Sequence, residues 1–143
     1  MDKYILLMDH RSVIHREPQQ GTDKFVVLTT DHGKKKITVK EYMNHINNIN
    51  TDLYLLPSED ILSNSSKSRC QKNVNRTLKL FNDALDYNSK LNINESGMIS
   101  VIEGGSNIEE RKKCCNEMMK SLSKNEFIKE NKLNYGYCIG GLG

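Results

Sequence analysis

No apolar run in this chain approaches the length of a membrane span. The opening Met1-Asp2-Lys3-Tyr4-Ile5-Leu6-Leu7-Met8 is too short and too soon interrupted for a signal peptide. A secreted or membrane-spanning protein is therefore not expected, and the cytoplasm is. Four cysteines, Cys70, Cys114, Cys115 and Cys138, show no Cys-x-x-Cys spacing. Three of them fall at core positions of expected helices or a strand, which favours buried free thiols over disulfides or zinc. His10, His15, His32 and His45 fall in loops or on a polar helix face and have no ligand spacing. Neither a Gly-x-Gly-x-x-Gly nor a Walker pattern is present, which argues against a generic phosphate-binding domain. Charge of one sign is scarce too: 21 basic against 18 acidic residues leave +3, an excess that tolerates a polyanionic partner without demanding one.

Hydrophobic content is low, at 36%, and Asn and Lys are abundant throughout, yet the apolar positions keep their periodicity. A chain of 143 residues buries one core, so residues 1–143 are read as a single domain. Residues 1–24 form an irregular lead. Phe25 to Thr30, the turn Asp31-His32-Gly33 and Lys36-Ile37-Thr38-Val39 predict a hairpin over 25–39, and βα units fill 40–143. Thr38-Val39-Lys40-Glu41 is a capping box opening a helix with the apolar stripe Tyr42, Met43, Ile46 and Ile49. Leu53-Tyr54-Leu55-Leu56 is a short buried strand ended by Pro57. A polar loop from Ser58 to Ser66 then leads to the longest helix, which runs to about Tyr87, with Cys70, Val74, Leu78, Phe81 and Leu85 on one side and Arg69, Lys72, Arg76 and Lys79 on the other.

Met98-Ile99-Ser100-Val101-Ile102 is an almost unbroken apolar run, as a strand buried on both faces requires, and Gly104-Gly105 lets the backbone turn sharply after it. Asn107 is a good helix N-cap, and Ile108, Cys115, Met118, Met119 and Leu122 recur at helical spacing. After a Lys-rich connection the pattern returns as Tyr135-Gly136-Tyr137-Cys138-Ile139 and a second glycine corner, Gly140-Gly141-Leu142-Gly143. Strands alternating with helices predict a parallel sheet whose glycine corners share one edge, where α/β proteins place ligands. The order fits an α/β fold amounting to about half the strands of a (β/α)8 TIM barrel, preceded by the β-hairpin. A complete barrel needs roughly 250 residues, so the chain is expected to be a fragment.

Val101-Ile102-Glu103-Gly104-Gly105, Glu109-Glu110-Arg111 and Gly136-Tyr137-Cys138-Ile139-Gly140-Gly141-Leu142 together resemble the tRNA-guanine transglycosylase family, the queuine tRNA-ribosyltransferases. Gln71-Lys72-Asn73-Val74-Asn75-Arg76-Thr77-Leu78 carries the likeness into the long helix, and Thr38-Val39-Lys40 into the hairpin. The resemblance implies a (β/α)8 barrel with a zinc-bearing insertion. It also implies exchange of guanine for queuine at the wobble position of tRNAs with GUN anticodons (those for Asp, Asn, His and Tyr), through a covalent Asp-ribosyl intermediate. The zinc expected of a full-length member has its ligands, a Cys-x-Cys-x-x-Cys set plus His, outside this chain, and so does the nucleophilic Asp.

Two departures mark this sequence. The family's Phe-Asp-Glu aligns with Pro57-Ser58-Glu59, so the base-gripping carboxylate is Ser58 here, and its Gln-Gly-Gly becomes Glu103-Gly104-Gly105. A serine lacks the two-oxygen acceptor for adjacent guanine N–H groups, and a glutamate is not expected to donate as the glutamine amide does. By resemblance, then, Ser58, Glu103, Gly104, Gly105, Gly140, Gly141 and Leu142 form a vestigial base pocket, with no catalytic residue. The chain is expected to come from the family's non-catalytic subunit, forming a heterodimer with the catalytic queuine tRNA-ribosyltransferase subunit and helping to hold tRNA. Peripheral association with the mitochondrial outer membrane is also implied by the family. The alternative, a catalytic subunit with an unusual pocket, draws on Gly140-Gly141-Leu142, which still match the catalytic pattern.

Four groups of residues admit two readings each. Gly104-Gly105 either cradles a ligand through free N–H groups or is a tight βα turn. Glu59, Asp60 and Glu103 either do acid–base work or are solvated loop acids, and the lack of a histidine after either corner favours the second. Arg69, Lys72, Arg76 and Lys79 either contact tRNA phosphates or form the wet face of their helix, which the absence of interleaved aromatics favours. Lys34-Lys35-Lys36 is similarly balanced between polyanion contact and protection of an edge strand.

Overall fold

The computed structural model describes residues 5–11, 18 and 20–142; the expectations placed on His15 and Gly143 fall outside them. In chain order the elements are β1 (Leu7–Met8), β2 (Phe25–Thr30), β3 (Gly33–Thr38), α1 (Val39–Ile49), β4 (Leu53–Leu55), α2 (Lys67–Leu91), β5 (Gly97–Ile102), α3 (Ile108–Lys124), α4 (Glu126–Glu130) and β6 (Asn134–Ile139). Strands β1, β4, β5 and β6 lie side by side in that order, and every pairing is parallel. The hairpin β2–β3 is a separate antiparallel ribbon, in register from Phe25 opposite Thr38 to Thr30 opposite Gly33.

Two features of this layout depart from expectation. The stretch 1–24 is not wholly irregular, because Leu7 and Met8 pair with Leu53 and Tyr54 as a fourth parallel strand. The Lys-rich connection before β6 contains the short helix α4, capped by Asn125.

Local chemistry accounts for the helix ends. Thr38 Oγ1 accepts from the Glu41 N–H while the Glu41 carboxylate accepts from the Thr38 N–H, the reciprocal cap expected of that tetrapeptide. Ser66 caps α2 and Asn107 caps α3 through their side-chain oxygens. Asn50 and Asn92 end α1 and α2 in the left-handed region, which Asn tolerates better than most residues. Much of the chain's asparagine is thus placed at helix ends, where its side chain replaces missing backbone partners.

The core lies between the helices and the sheet. Tyr42, Met43 and Ile46 from α1, Tyr54 from β4, Val74, Leu80 and Phe81 from α2, Met98 from β5 and Met118 from α3 are all essentially inaccessible. Each such side chain contributes about 1.5–3 kcal/mol on burial. Both buried tyrosines place their hydroxyls: Tyr42 donates to the Leu55 carbonyl at 2.8 Å, and the Tyr54 hydroxyl accepts from Asn88 Nδ2 at 2.6 Å.

The stripe expected on α3 is displaced by one residue. Glu110, Cys114, Met118 and Leu122 face inward, while Ile108 and Met119 are exposed and Cys115 is half-buried. The adjacent pairs Cys114-Cys115 and Met118-Met119 let either member satisfy the periodicity, and packing against α2 decides between them. Ile49, assigned to the α1 stripe, is likewise exposed at the helix end. Of the four thiols only Cys70 and Cys114 are buried; Cys115 and Cys138 are half-buried, and none is in a disulfide.

Candidate functional site at the sheet edge

The C-terminal ends of β1, β4, β5 and β6 bring Asp9-His10-Arg11, Ser58-Glu59-Asp60, Glu103-Gly104-Gly105 and Gly140-Gly141 to one edge. The two glycine corners face each other. Gly104, at φ +136, stands where a Cβ would come within 2.9 Å of the Arg111 nitrogen, so a side chain there meets both strain and backbone. Arg111, in the first turn of α3, laces the corners together. Its Nε donates to the Gly105 carbonyl at 2.6 Å, Nη1 to Ile102 at 3.1 Å, and Nη2 to Gly140 at 2.8 Å and Gly141 at 3.3 Å. The Gly141 N–H is in turn held by Asp60 Oδ1 at 2.9 Å. Gly104-Gly105 forms a tight βα turn whose carbonyls are both used, that of Gly105 by Arg111 and that of Gly104 by the Asn107 N–H at 3.1 Å.

Glu103 is the centre of the arrangement. Its side chain is fully buried, with Oε1 accepting from the Ser58 hydroxyl at 3.2 Å and Oε2 without a partner among the described residues. It lies against the second corner so closely that a Cβ at Gly140 would overlap Oε1, and one at Gly141 would sit 3.0 Å from Oε2. Burial, reinforced by the nearby Asp60 charge, pushes the Glu103 carboxyl up to about 8. Near neutral pH it is therefore largely protonated. A neutral carboxyl offers one donor and one acceptor, the pair a glutamine amide offers. The expectation that residue 103 cannot donate holds for an ionised glutamate and not for this buried one.

Of the three acids expected to be solvated, Glu59 and Glu103 are buried and Asp60 is half-buried. Glu59 is buried, and its two oxygens are split between Arg69 Nη1 at 2.9 Å and Arg76 Nη1 at 2.5 Å. Asn73 donates to the Glu59 carbonyl, and Thr77 Oγ1 accepts from the Glu59 N–H at 3.2 Å. Residues 69, 73, 76 and 77 of α2 thus bolt the loop after β4 in place. Arg69 and Arg76 are correspondingly drawn out of the expected wet face, while Lys72 and Lys79 stay exposed and Lys79 pairs with Asp83. A hollow of about 220 Å³ opens beside Asp60, Ile61, Ser65 and Arg69. Leu142 is two-thirds exposed and does not join the cluster.

Sequence reasoning missed the contribution of β1. His10 is buried, and its Nε2 lies 3.1 Å from the Ser58 carbonyl, which can only accept, so Nε2 carries the proton. Desolvation lowers its basicity against the opposing pull of Asp9, so the ring is neutral and the 3.4 Å approach of Nδ1 to Asp9 is not an ion pair. Arg11 instead makes the ion pair with Asp9, Nη2 to Oδ2 at 3.0 Å. No residue-type signal revealed this strand, because two apolar residues before a polar loop carry too little periodicity.

The chemistry of this edge is limited. His10 reaches the main chain of Ser58, while the Ser58 hydroxyl is given to Glu103, so no histidine is placed to activate the serine. Among the described residues no three His, Cys, Asp or Glu side chains form a metal-binding group.

Parallel strands with glycine corners and buried polar side chains on their carboxyl edge define an α/β protein of the kind that binds ligands at that edge. Comparison with known proteins is more specific. The family model for queuine tRNA-ribosyltransferase matches residues 5–143, and the chain belongs to that family. It is similar to proteins named queuine tRNA-ribosyltransferase accessory subunit 2. The similarity to that of Drosophila virilis is 34% identity over 105 residues (71% of this chain, 25% of the relative), and to that of Drosophila persimilis 33% over 92 residues (63% and 21%). To the protein of Trichoplax adhaerens it is 26% identity over 100 residues (69% and 27%). The chain spans about a quarter of the length of these curated relatives.

Proposed function

We propose that this chain is the barrel region of a non-catalytic subunit of queuine tRNA-ribosyltransferase, which acts with a catalytic partner to exchange guanine for queuine in tRNA. The observation that carries this reading is the buried Ser58–Glu103 hydrogen bond. The two positions that the family pattern assigns to base recognition are hydrogen-bonded to each other and closed from solvent. The names of the relatives support the same role.

In this reading the four parallel strands are part of a (β/α)8 barrel, the subunit forms a heterodimer, and the tRNAs served are those with GUN anticodons. The subunit works in the cytoplasm, peripherally at the mitochondrial outer membrane, and any zinc is held by residues outside this chain. Glu103, neutral and packed on Gly140, ties the loop after β4 to the second glycine corner, and in this reading the edge serves as structure for the complex.

The test is incorporation of labelled guanine into tRNA by the full-length subunit alone, by a catalytic subunit alone and by both together. Exchange that requires the catalytic subunit and rises when this subunit is added supports the proposal. Exchange by this subunit alone overturns it.

A further inference from the structure

Positive charge is unevenly distributed. Between Lys24 and Lys40 there are five lysines against one acid, Asp31, a net of +4 in a chain that totals +3, so the remainder sums to −1. Asp23 and Glu41 flank the segment, and Glu41 is spent on the α1 cap. The lysines of α3 and α4 behave differently: Lys112, Lys120 and Lys129 each pair with an acid three residues away. Among the described residues no ion pair involves Lys34, Lys35 or Lys36, and all three are exposed.

The scaffold beneath them is rigid. Val26 and Ile37 are buried and Leu28 packs against the core, so one face of the hairpin is fixed to the domain. The ladder pairs Val27 with Lys36 and Thr29 with Lys34, which sets those two lysines on the opposite, outer face. There the Lys36 ammonium lies 4.9 Å from the centre of the Phe25 ring. The hairpin also stands on the right edge. It leaves the carboxyl end of β1, which pairs in parallel with β4, and α1 then returns to the start of β4. Its base is held by Arg76 Nη1, which donates to the Gly21 carbonyl at 3.1 Å while binding Glu59 beside Ser58.

We propose that this hairpin is an RNA contact surface, with Lys34 and Lys36 on its outer face placed against backbone phosphates beside the sheet edge and Lys35, on the other side of the ribbon, adding to the local positive charge. The proposal deepens the functional reading above by naming the surface that meets the tRNA. Unpaired lysines on a fixed ribbon give a sequence-independent contact of the kind phosphates select. An anionic membrane is the weaker fit, because the tip Thr30-Asp31-His32-Gly33 has no apolar side chain to insert and places an acid at the point of approach.

The experiment compares the full-length subunit in its complex with the catalytic partner, as wild type and as K34Q/K35Q/K36Q. A control, K112Q/K120Q/K129Q, removes the same charge from α3 and α4. Affinity for unmodified tRNA is measured across a salt series, with vesicles containing phosphatidylserine as a second probe. The hairpin variant is expected to bind tRNA at least about tenfold more weakly, with the slope of log affinity against log salt reduced by roughly 2–3, while the control binds as wild type. Equal affinity and slope in the hairpin variant, an equal loss in the control, or a loss confined to vesicle binding would overturn the proposal. The accessory reading fails on a different result, exchange by the subunit alone, so the two remain separable.

Discussion

The Ser58 hydroxyl donates to the Glu103 carboxyl in a place where both side chains are only 0–2% exposed, and the other Glu103 oxygen faces Gly141 with no partner among the described residues. A buried carboxyl in that position folds at lower cost protonated than ionised. In the folded protein its pKa is raised from 4.5 to about 8, so the folded state keeps a proton that the unfolded chain releases. The associated stability is complete below about pH 4.5 and is lost as pH rises towards 8. Denaturant unfolding of full-length wild type and E103Q at pH 5, 6.5 and 8 should show the wild type losing stability across this window relative to the glutamine variant. Parallel pH curves would mean that Glu103 is already ionised.

Gly140 and Glu103 are expected to be energetically coupled. A methyl group at Gly140 must displace the Glu103 carboxyl and break its bond to Ser58, so G140A should cost about 1–3 kcal/mol. In an E103A background the displaced atoms are gone, and most of that cost should vanish. Additive effects in the double-mutant cycle would show that the corner is not packed as described.

Glu59 offers a contrast between a bolted and a free cation on one helix. E59Q leaves Arg69 and Arg76 without their carboxylate and should destabilise by about 2–4 kcal/mol, the partial exposure of both arginines softening the loss. K72A and K79A should fall within about 0.5 kcal/mol of wild type. Chemical unfolding of the three variants decides the matter, and equal effects would contradict the ion-pair assignment.

Arg111 should be irreplaceable by lysine. It donates to four carbonyls in two corners through three nitrogens, and a single ammonium cannot span that geometry. R111A is expected to cost about 2–4 kcal/mol and R111K nearly as much. Full recovery by R111K would reduce the residue to a point charge.

Restoring the family's pair tests the closed pocket directly. S58D alone places a carboxylate beside Glu103 and Asp60 and should destabilise the protein. S58D/E103Q lets the new carboxylate accept from an amide and should raise affinity for free guanine above that of wild type. Titration calorimetry reads both variants, and tight binding of guanine by the wild type would contradict the proposed role.

The sequence was most informative where a local rule acts on neighbouring residues. The Thr38–Glu41 capping box, the hairpin turn and the glycine corner after Ile102 each depend on contacts within four residues, and each was placed to within a residue or two. Strand β1 was not legible, since Leu7 and Met8 become a strand only by meeting Leu53 and Tyr54 some 46 residues away. The inward face of α3 was ambiguous because Cys114-Cys115 and Met118-Met119 are interchangeable to periodicity. The fate of Glu59 was hidden for a related reason. Asn73 and Thr77 look like surface residues until the loop after β4 folds back onto them.

Arg76 holds the Gly21 carbonyl and the Glu59 carboxylate with the same nitrogen. Tilting the hairpin away from the sheet would pull that guanidinium from a buried anion, a motion with a steep energetic penalty. The spacing between the lysine ribbon and the Ser58 corner is therefore a fixed length, set by one guanidinium shared between the base of the hairpin and the sheet edge.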